Sequence, residues 1–500
     1  MISLGVDIGG TGAKCVAFRD DGAQLALSYL EYPNPPGKVN LDAEVLADSV
    51  TRVIRECASS LPDREEVAAI TVSSFGESFV PVDRDGRALT DIIMYFADSS
   101  SEEFDKLVGE VGAGRFMEIA RIKPDASYSL AKMLYTRSLP KAPIWKFLLI
   151  AGFICYRLSG VPATDVSLAC RTLLYDVERR CWSQELLDAA GLDAGMMPDV
   201  YESGSVIGEL KPDVAEQLGL PRRVKVVIGA HDQIVNALAC GVCEPGDVMD
   251  GTGTSECIEP LFADIPRDME FIAENYACVP FVDGRGYVTY AYNLSGGAVV
   301  RWYRDQLALH LKDQAAAEGV SVYDILNRVC PAEPGDLIAL PYLQGMGGTP
   351  DIRPNARGAF WGVTMQTGLP DLYRAILEGL TFEMAYNLER LEHFGISPKR
   401  LFACGGGAHS RVWLQIKADI WNREILPVET EETGALGSAI LGFAAVTGET
   451  DRCRMAKKFL RVGDPIHPNP ENVRIYQRKF REYKRLRAYL LDSANEEVEE

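Results

Sequence analysis

The chain has 500 residues, of which 47% are hydrophobic and 24% are charged, and its formal net charge is −20. This length exceeds what one hydrophobic core usually organises, so we expect a globular protein of at least two domains. The negative charge argues against nucleic acid and anionic membranes as partners, because both require a basic surface. An anionic substrate such as a nucleotide would then need local hydrogen-bond donors and a metal ion.

Neither the N-terminus nor the cysteines indicate secretion. The first residues predict a β-strand directly, without the basic and apolar segments of a signal peptide. The 12 cysteines form no CxxC pair and no zinc spacing, so we interpret them as small buried residues in a reducing compartment. The most apolar stretch, at 147–158, is too short to span a bilayer. The expected location is therefore the cytoplasm.

The N-terminal segment predicts a β-meander, a helix and a fourth strand. Asp20, Asp21 and Gly22 provide a hairpin turn between two of the strands. The helical segment has apolar side chains at the spacing of one helix face. The order β-β-β-α-β is typical of one half of an actin-like nucleotidase. The predicted elements cover residues 2–6, 15–18, 24–29, 42–59 and 67–72.

A glycine-rich turn, Asp-Ile-Gly-Gly-Thr-Gly, follows the first predicted strand at residues 7–12. Glycine allows a tight turn that brings backbone N–H groups close to an anion, and threonine adds a hydroxyl donor. Such turns also occur in ordinary hairpins, so one alone is weak evidence for a phosphate site. Asp7, at the start of the turn, fits either an Asx turn or a carboxylate that faces Mg²⁺ through water.

A second turn of the same design, Asp-Gly-Thr-Gly-Thr-Ser, lies at mid-chain at residues 250–255. Two such turns predict a duplicated fold in which two domains close on one nucleotide. The sequence Glu-Pro-Gly at 244–246 breaks the chain, so we predict an N-terminal domain, 1–244, and a C-terminal domain, 245–500. The second domain ends in a basic amphipathic helix at 471–491, which we expect to pack on an acidic surface.

An acidic residue, Asp232, lies between an apolar strand segment at 224–228 and a helical pattern at 234–241. A carboxylate at a strand-to-helix junction of an α/β protein faces a cleft, where it can act as a general base. An aspartate at this point can equally cap the following helix. The pattern leaves both interpretations open.

Three consecutive glycines, at 405–407, separate the predicted strand Arg400–Cys404 from a helix that opens at Ser410. We expect them to leave room for a flat ligand or a phosphate, because packing alone is a poor explanation for three glycines in a row. A run of small residues at 434–439 predicts a helix that packs closely against another, with its start near the nucleotide.

These segments, in this order, resemble the FGGY family of carbohydrate kinases, within the actin and hexokinase superfamily, over nearly the whole chain. The resemblance implies an α/β fold of two actin-like (ribonuclease H-like) domains with a ligand cleft between them. It also implies ATP-dependent phosphorylation of a sugar hydroxyl, in a ketose such as xylulose or a related ketose or polyol. The matching segments are two phosphate motifs at 7–12 and 251–255, a catalytic segment at 229–233, an adenosine motif at 404–408, and xylulokinase-like stretches at 163–167 and 182–187.

The resemblance further implies a role for individual motif residues. Asp232 would take the proton from the sugar hydroxyl, and Asp7 would stand with it beside the Mg²⁺ ion. The expected partners are the sugar and ATP, and a homodimer is the assembly we consider. ATP would be bound by Gly9, Gly10, Thr11, Gly253, Thr254, Ser255, Gly405, Gly406, Gly407 and Ala408.

The sugar-contact segments depart from the xylulokinase pattern. Xylulokinases typically carry Gln-Met-His-Gly where residues 75–78 read Phe-Gly-Glu-Ser, which puts Glu77 in the place of the histidine. Glycerol kinases have an acidic residue at about this place, but with an arginine before it, where this chain has Gly76. The usual Asp-x-Arg downstream becomes Asp98-Ser99-Ser100. The resemblance therefore supports the family without identifying xylulose as the substrate.

We expect Glu77, Asp98, Asp232 and Gln233 to bind the sugar. A carboxylate at Glu77 can accept two hydroxyl hydrogen bonds, although an exposed loop glutamate is the alternative. A sugar acid would face uncompensated like charges here, so the predicted substrate is a neutral ketose or polyol. Two alternatives concern the whole chain: an actin-like or chaperone-like ATPase without sugar kinase activity, and a kinase fold that has lost its activity.

Overall fold

The computed structural model describes residues 1–35, 37–97, 101–139 and 142–496. The strands before residue 240 are β1 (Ile2–Ile8), β2 (Gly12–Arg19), β3 (Gln24–Glu31), β4 (Val67–Ser74), β5 (Phe79–Val82), β6 (Lys146–Leu149), β7 (Ala163–Asp165), β8 (Tyr175–Asp176), β9 (Cys181–Trp182), β10 (Asp199–Tyr201), β11 (Ser205–Glu209) and β12 (Lys225–His231). The helices of this part are α1 (Ala43–Ser59), α2 (Ser101–Val111), α3 (Ala113–Ala120), α4 (Ser129–Thr136), α5 (Ile150–Ser159), α6 (Val166–Cys170), α7 (Gln184–Ala190), α8 (Pro212–Leu218) and α9 (Asp232–Ala239).

The remaining strands are β13 (Asp247–Thr252), β14 (Glu256–Phe262), β15 (Val279–Pro280), β16 (Tyr287–Val288), β17 (Ala291–Asn293), β18 (Ile338–Leu340), β19 (Ala359–Trp361), β20 (Arg400–Cys404) and β21 (Ile425–Pro427). The remaining helices are α10 (Met269–Ala273), α11 (Gly297–Gln306), α12 (Lys312–Glu318), α13 (Val322–Val329), α14 (Leu369–His393), α15 (Arg411–Trp421), α16 (Thr433–Thr447), α17 (Arg452–Phe459) and α18 (Pro470–Glu496). Among the described residues, no helix is both long and apolar enough to cross a membrane.

The first sheet has six strands in the order β11-β12-β4-β1-β2-β3. Strands β1, β4 and β12 run parallel to one another, so their carboxyl ends lie at the same edge. At that edge Asp7 of β1 is opposite Ser73 of β4, and His231 of β12 is opposite Ser74. The fold therefore brings Asp7 and the start of α9 to one place, as expected of ligand sites in open α/β sheets.

The second sheet repeats the arrangement of the first. Strand β13 forms a hairpin with β14 and pairs in parallel with β20, just as β1 forms a hairpin with β2 and pairs in parallel with β4. In this sheet Gly251 of β13 is opposite Cys404 of β20, so the second glycine turn and the glycines after Cys404 emerge side by side. The repeat confirms the predicted fold of two actin-like α/β domains.

Helix α16 belongs to the C-terminal half of the chain but packs on the first sheet. A Cβ atom at Gly5 of β1 would lie only 1.9 Å from the carbonyl oxygen of Ala435, and one at Gly437 only 2.0 Å from that of Val235. The small residues of 434–439 thus permit the predicted close helix packing. Helix α17 joins the same hydrophobic core. The predicted division at 244/245 separates the strands of the two sheets. Helices α16 and α17 follow residue 245 but pack with the first sheet, so the division does not apply to them, and it stays a prediction.

The C-terminal helix α18 packs on acidic residues of α14, as its basic sequence predicted. Lys479 donates a hydrogen bond to Glu378, and Arg487 donates one to Glu383. All four of these side chains are buried. Lys479 and Arg487 are therefore part of the interior, where the glutamates match their charges. Other basic residues of the helix stay exposed, namely Arg474, Arg478, Arg481 and Arg485.

Candidate active site

The first glycine turn joins β1 to β2, and two hydrogen bonds from Tyr32 stabilise it. The N–H of Gly9 donates to the carbonyl of Gly12 at 2.9 Å, which closes the turn. The Tyr32 hydroxyl donates to the Gly9 carbonyl at 3.1 Å, and the Tyr32 N–H donates to the Thr11 carbonyl at 3.0 Å. Thr11 is exposed at the tip of the turn, where its hydroxyl group can contact a ligand.

The second glycine turn is held by the first turn of α11. The N–H of Gly297 donates to the Gly253 carbonyl at 3.0 Å, and that of Ala298 donates to the Thr254 carbonyl at 2.9 Å. Arg301 of α11 donates to the Thr254 hydroxyl at 3.1 Å. This turn therefore carries a guanidinium group beside it, which the sequence analysis did not predict and which suits a phosphate.

Close packing explains two of the three consecutive glycines. A Cβ atom at Gly405 would lie 2.6 Å from the carbonyl oxygen of Thr252, and one at Gly407 would lie 2.6 Å from the Thr252 side chain. At Gly406 the nearest atom would be 3.9 Å away, so only this glycine leaves open space. The expectation that packing alone does not explain the triplet holds for Gly406 and is wrong for its two neighbours.

A cavity of about 370 Å³ lies between the second glycine turn and the glycine triplet. Of the residues predicted to bind ATP, Gly253, Thr254, Gly406 and Gly407 line it, whereas Ser255, Gly405 and Ala408 do not. Side chains of α11, α13, α14 and α15 complete its walls, and no sequence pattern pointed to those of α11, α13 and α14. We refer to it as the nucleotide cavity, after the ligand predicted for it; the side chains not predicted include Val300, Arg301, Tyr323, Asp324, Asn327 and Tyr373. Gly9, Gly10 and Thr11 lie outside it, and the latter two line a separate cavity of about 560 Å³ on the first domain.

Asp232 is the first residue of α9, and His231 takes the N-cap position before it. One carboxylate oxygen of Asp232 accepts a hydrogen bond from the N–H of Gln233 at 2.7 Å. The side chain keeps 24% of its surface exposed. Burial raises the pKa of Asp232 to about 8, and the nearby carboxylates of Asp7 and Glu77 add to the shift. The structure thus favours a carboxyl group poised to exchange a proton over a helix cap.

Asp7 shares this acidic region. Burial raises its pKa to about 6, although the positive charge of Lys14 opposes the shift. No group of three potential metal ligands occurs among the described residues. A pair of carboxylates still suits Mg²⁺, which keeps most of its water ligands in proteins. Burial raises the pKa of both Asp7 and Asp232, and a bound cation would lower both values, because it favours the charged form of a carboxylate.

Glu77 is buried, so the alternative of an exposed loop glutamate is wrong. It adopts a left-handed backbone conformation, with φ of 62°, and its carboxylate forms an ion pair with Arg171. The Arg171 guanidinium lies 4.9 Å from the ring centre of Tyr128 and 5.3 Å from that of Tyr290. Two rings and one carboxylate therefore fix this arginine in a buried position.

Arg171 corrects the predicted charge of the sugar site. The sequence predicts an uncompensated negative charge at Glu77, but the ion pair with Arg171 neutralises it. A Cβ atom at Gly76 would lie 3.1 Å from Arg171, so this glycine leaves room for the arginine. The guanidinium that the sequence lacks beside Glu77 thus comes from the end of α6. No local pattern marks Arg171, apart from its position shortly after the stretch 163–167.

His231 connects the two domains beside Asp232. Its Nδ1 lies 3.1 Å from the hydroxyl of Tyr290, a residue of the C-terminal half, and its Nε2 lies 3.4 Å from Asp232. Burial and the positive charge of Arg171 lower the pKa of His231 well below its usual value. The ring is therefore neutral and serves to position the groups around Asp232.

Two of the predicted sugar-binding residues add little here. Asp98 lies outside the described residues. Gln233 follows Asp232 in the first turn of α9, and its side chain makes no hydrogen bond within the described part of the chain. Tyr95 lies at this site instead: its hydroxyl would be 3.5 Å from a Cβ at Gly10, and the negative charges of Asp232 and Glu77 help burial to raise its pKa.

The fold and the paired glycine turns define the class: a two-domain phosphotransferase built on the actin-like fold. The chain belongs to the FGGY family of carbohydrate kinases. The N-terminal domain of that family matches residues 2–239, and its C-terminal domain matches residues 251–446. The predicted family is confirmed, and the chain is a carbohydrate kinase, which removes the alternative of an actin-like or chaperone-like ATPase.

The relatives differ in the sugars for which they are named. The chain is 26% identical to the xylulose kinase of Bacillus subtilis, over 98% of this chain and 97% of that one. It is 28% identical to the gluconokinase of the same organism, over 90% and 88% of the two chains. It is also 28% identical to the glycerol kinase of Thermococcus gammatolerans, over 89% of each. These similarities show a sugar kinase of the FGGY type and leave its substrate open.

The solved structures agree on the fold. The xylulose kinase of Rhodospirillum rubrum superposes with a TM-score of 0.88, at 25% identity, over 99% of this chain and all of that one. The glycerol kinase of Plasmodium falciparum, crystallised with ADP, superposes with a TM-score of 0.82, at 16% identity, over 96% and 97%. The two-domain architecture is therefore shared by relatives named for different sugars.

Proposed function

We propose that this chain transfers the γ-phosphoryl group of ATP to a hydroxyl group of a ketose, such as xylulose, or of a related polyol. The observation that carries the proposal is the position of Asp232, which faces Asp7 and Glu77 and has a pKa raised to about 8. A carboxyl group with a pKa near neutrality can accept a proton from an attacking hydroxyl and release it afterwards.

In this proposal the two glycine turns act on the nucleotide. The backbone N–H groups and hydroxyls of the turns, with Arg301, bind the phosphates, because such groups form anion-binding concavities. A Mg²⁺ ion held through water by Asp7 and Asp232 would neutralise charge on the phosphates. Phosphoryl transfer depends mainly on positioning and charge stabilisation, and these residues supply both.

The sugar would bind between Asp232 and the ion pair of Glu77 with Arg171. The carboxylate of Glu77 can accept hydrogen bonds from hydroxyl groups, and the guanidinium of Arg171 can donate them. Because the pair is neutral overall, it matches the alternating donors and acceptors of a neutral polyol. The preference for a neutral sugar therefore rests on this pairing and no longer on a free negative charge at Glu77.

The test is the variant Asp232→Asn in an assay of sugar-dependent ADP release. The screen covers ketopentoses, hexuloses, deoxyketohexoses, polyols and aldonates with the wild-type protein. With the best substrate found, the variant should lose roughly 10²–10⁴-fold in kcat, which is the usual contribution of a general base. Nucleotide affinity, measured by calorimetry, should be retained.

The matched control is Asp105→Asn, which makes the same change on the exposed surface of α2. It should behave as wild type. Near-normal turnover of Asp232→Asn would remove this residue from the mechanism. Absence of turnover with every sugar in the wild-type protein would overturn the proposed function itself.

A further inference from the structure

The side chain of Asn327 lines the nucleotide cavity, and hydrogen bonds within the protein fix its orientation. Asn327 of α13 accepts two hydrogen bonds at its amide oxygen, from the Ser410 hydroxyl at 2.9 Å and from the Tyr373 hydroxyl at 3.1 Å. The Ser410 oxygen already accepts from the N–H of Trp413, at 3.2 Å, so its own hydrogen is directed to Asn327. These bonds use both acceptor positions of the amide oxygen.

The amide nitrogen of Asn327 is then left with two N–H donors. It has no acceptor among the described residues, and Asn327 lines the nucleotide cavity. The walls around it are largely rings and apolar side chains, from Val300, Tyr323 and Trp413. A cavity with largely apolar walls and a few fixed polar groups is typical of a site for a small molecule, and the aromatic walls suit a ring system.

We propose that Asn327 donates a hydrogen bond to a ring nitrogen of the purine base of the phosphoryl donor. The inference rests on the proposed function, in which that donor is ATP. A free asparagine can bind adenine through both its oxygen and its nitrogen. Here the amide oxygen of Asn327 is already occupied, so it cannot accept a hydrogen bond from the exocyclic amino group of adenine. Only the amide N–H groups remain, and they can donate to a ring nitrogen.

The protein side of the test is Asn327→Asp, which keeps the acceptor for Ser410 and Tyr373 but replaces the donor by an oxygen. We expect the KM for ATP to rise about 10-fold or more, because the N–H donor is lost and a carboxylate oxygen then lies against the ring nitrogen of the base. The kcat at saturating ATP and the KM for the sugar should change less than about 3-fold. Asn355→Asp, the same change at an exposed position, is the matched control.

The ligand side of the test uses 1-deaza, 3-deaza and 7-deaza analogues of ATP, each of which lacks one ring acceptor. The wild type should bind one of them about 10-fold more weakly than ATP, while Asn327→Asp should bind that analogue and ATP almost equally. Purine riboside triphosphate lacks the exocyclic amino group but keeps N1, N3 and N7 as acceptors, so it should lose no more affinity in wild type than in the variant. If Asn327 served only in folding, its substitution would not change the ratio of the affinities for ATP and for that analogue.

Three results would overturn the proposal. In the first, the wild type binds ATP and all three deaza analogues equally. In the second, Asn327→Asp discriminates between ATP and the analogue as strongly as the wild type does. In the third, the KM for ATP is unchanged in Asn327→Asp. The first of these needs no variant, so the test survives a variant that fails to fold. If no nucleoside triphosphate supports turnover in the wild type, the proposed function fails, which is a separate outcome.

Discussion

The two glycine turns are similar in sequence, but the aspartates that precede them have different surroundings. Asp250 in β13 is fully buried and accepts a hydrogen bond from Lys417 at 2.6 Å. The same lysine contacts Thr252 at 2.8 Å and Glu256 at 2.7 Å. Asp7 in β1 is only half-buried, and the nearest lysine, Lys14, is hydrogen-bonded to Glu432 instead.

This difference separates two roles for one motif. The charge of Asp250 is neutralised inside the second domain, where it holds β13 to α15. Among the described residues the carboxylate of Asp7 has no hydrogen-bond or ion-pair partner, and its charge contributes to the raised pKa of the nearby Asp232. A glycine turn therefore does not by itself identify a metal-binding carboxylate. The charges packed around the carboxylate decide between structure and chemistry.

The strongest test of this comparison is Asp7→Asn. We expect kcat to fall roughly 10²–10³-fold, because a group that stabilises charge in the transition state is removed. Folding stability should stay the same or rise slightly, since the change relieves repulsion with Asp232. Steady-state kinetics and urea denaturation measure the two effects. A large loss of stability with normal kcat would make Asp7 structural, as we infer for Asp250.

The opposite pattern is expected for Asp250→Asn. Lys417 would remain buried with one carboxylate fewer, and breaking a buried ion pair typically costs about 3–5 kcal/mol of stability. The folded fraction should keep its kcat within about 3-fold. Replacing the lysine as well, in Asp250→Asn with Lys417→Met, should recover part of the lost stability. A double variant that is less stable than the single one would contradict this account.

Glu77 combines features of both aspartates, because it is paired and yet lies beside Asp232. Glu77→Gln should raise the KM for the true sugar about 10-fold, as a charged hydrogen-bond acceptor is lost. The KM for ATP should be nearly unchanged. The variant also leaves the Arg171 guanidinium without its carboxylate, so binding of an aldonate should improve relative to the neutral sugar. An aldonate that is already the best substrate of the wild type would refute our assignment of the sugar site.

The parts of this protein that depend on local sequence could be predicted. Short apolar runs predicted the strands, and the glycine turns, Asp232 and the basic tail were visible as short patterns. The parts that depend on distant contacts could not. The partners of Glu77 and Asp250 lie 94 and 167 residues away in the chain. Helix α16 looked like any helix of small residues, and only the fold shows that Gly5 and Gly437 bring it against the first domain.

The smallest expected effect concerns the stability of the site and its dependence on pH. The pKa of Asp232 in the folded protein is about 8, well above its ordinary value of 3.8. Between these two pH values the folded state holds a proton that the unfolded state has released. Folding stability from this group is therefore complete below pH 3.8 and is lost as the pH rises through 8.

Activity should depend on pH in the opposite direction, because a general base must be deprotonated. The kcat/KM for the sugar should rise as the pH approaches 8, over the same range in which Asp232 destabilises the fold. Asp232→Asn removes the titration, so it should be about 1–2 kcal/mol more stable than wild type at high pH, with a smaller difference in acid. Urea denaturation at several pH values, with Asp105→Asn as control, measures this. A variant less stable than wild type at high pH would show that attractive contacts of the charged Asp232 outweigh the cost of its burial and its repulsion by Asp7 and Glu77.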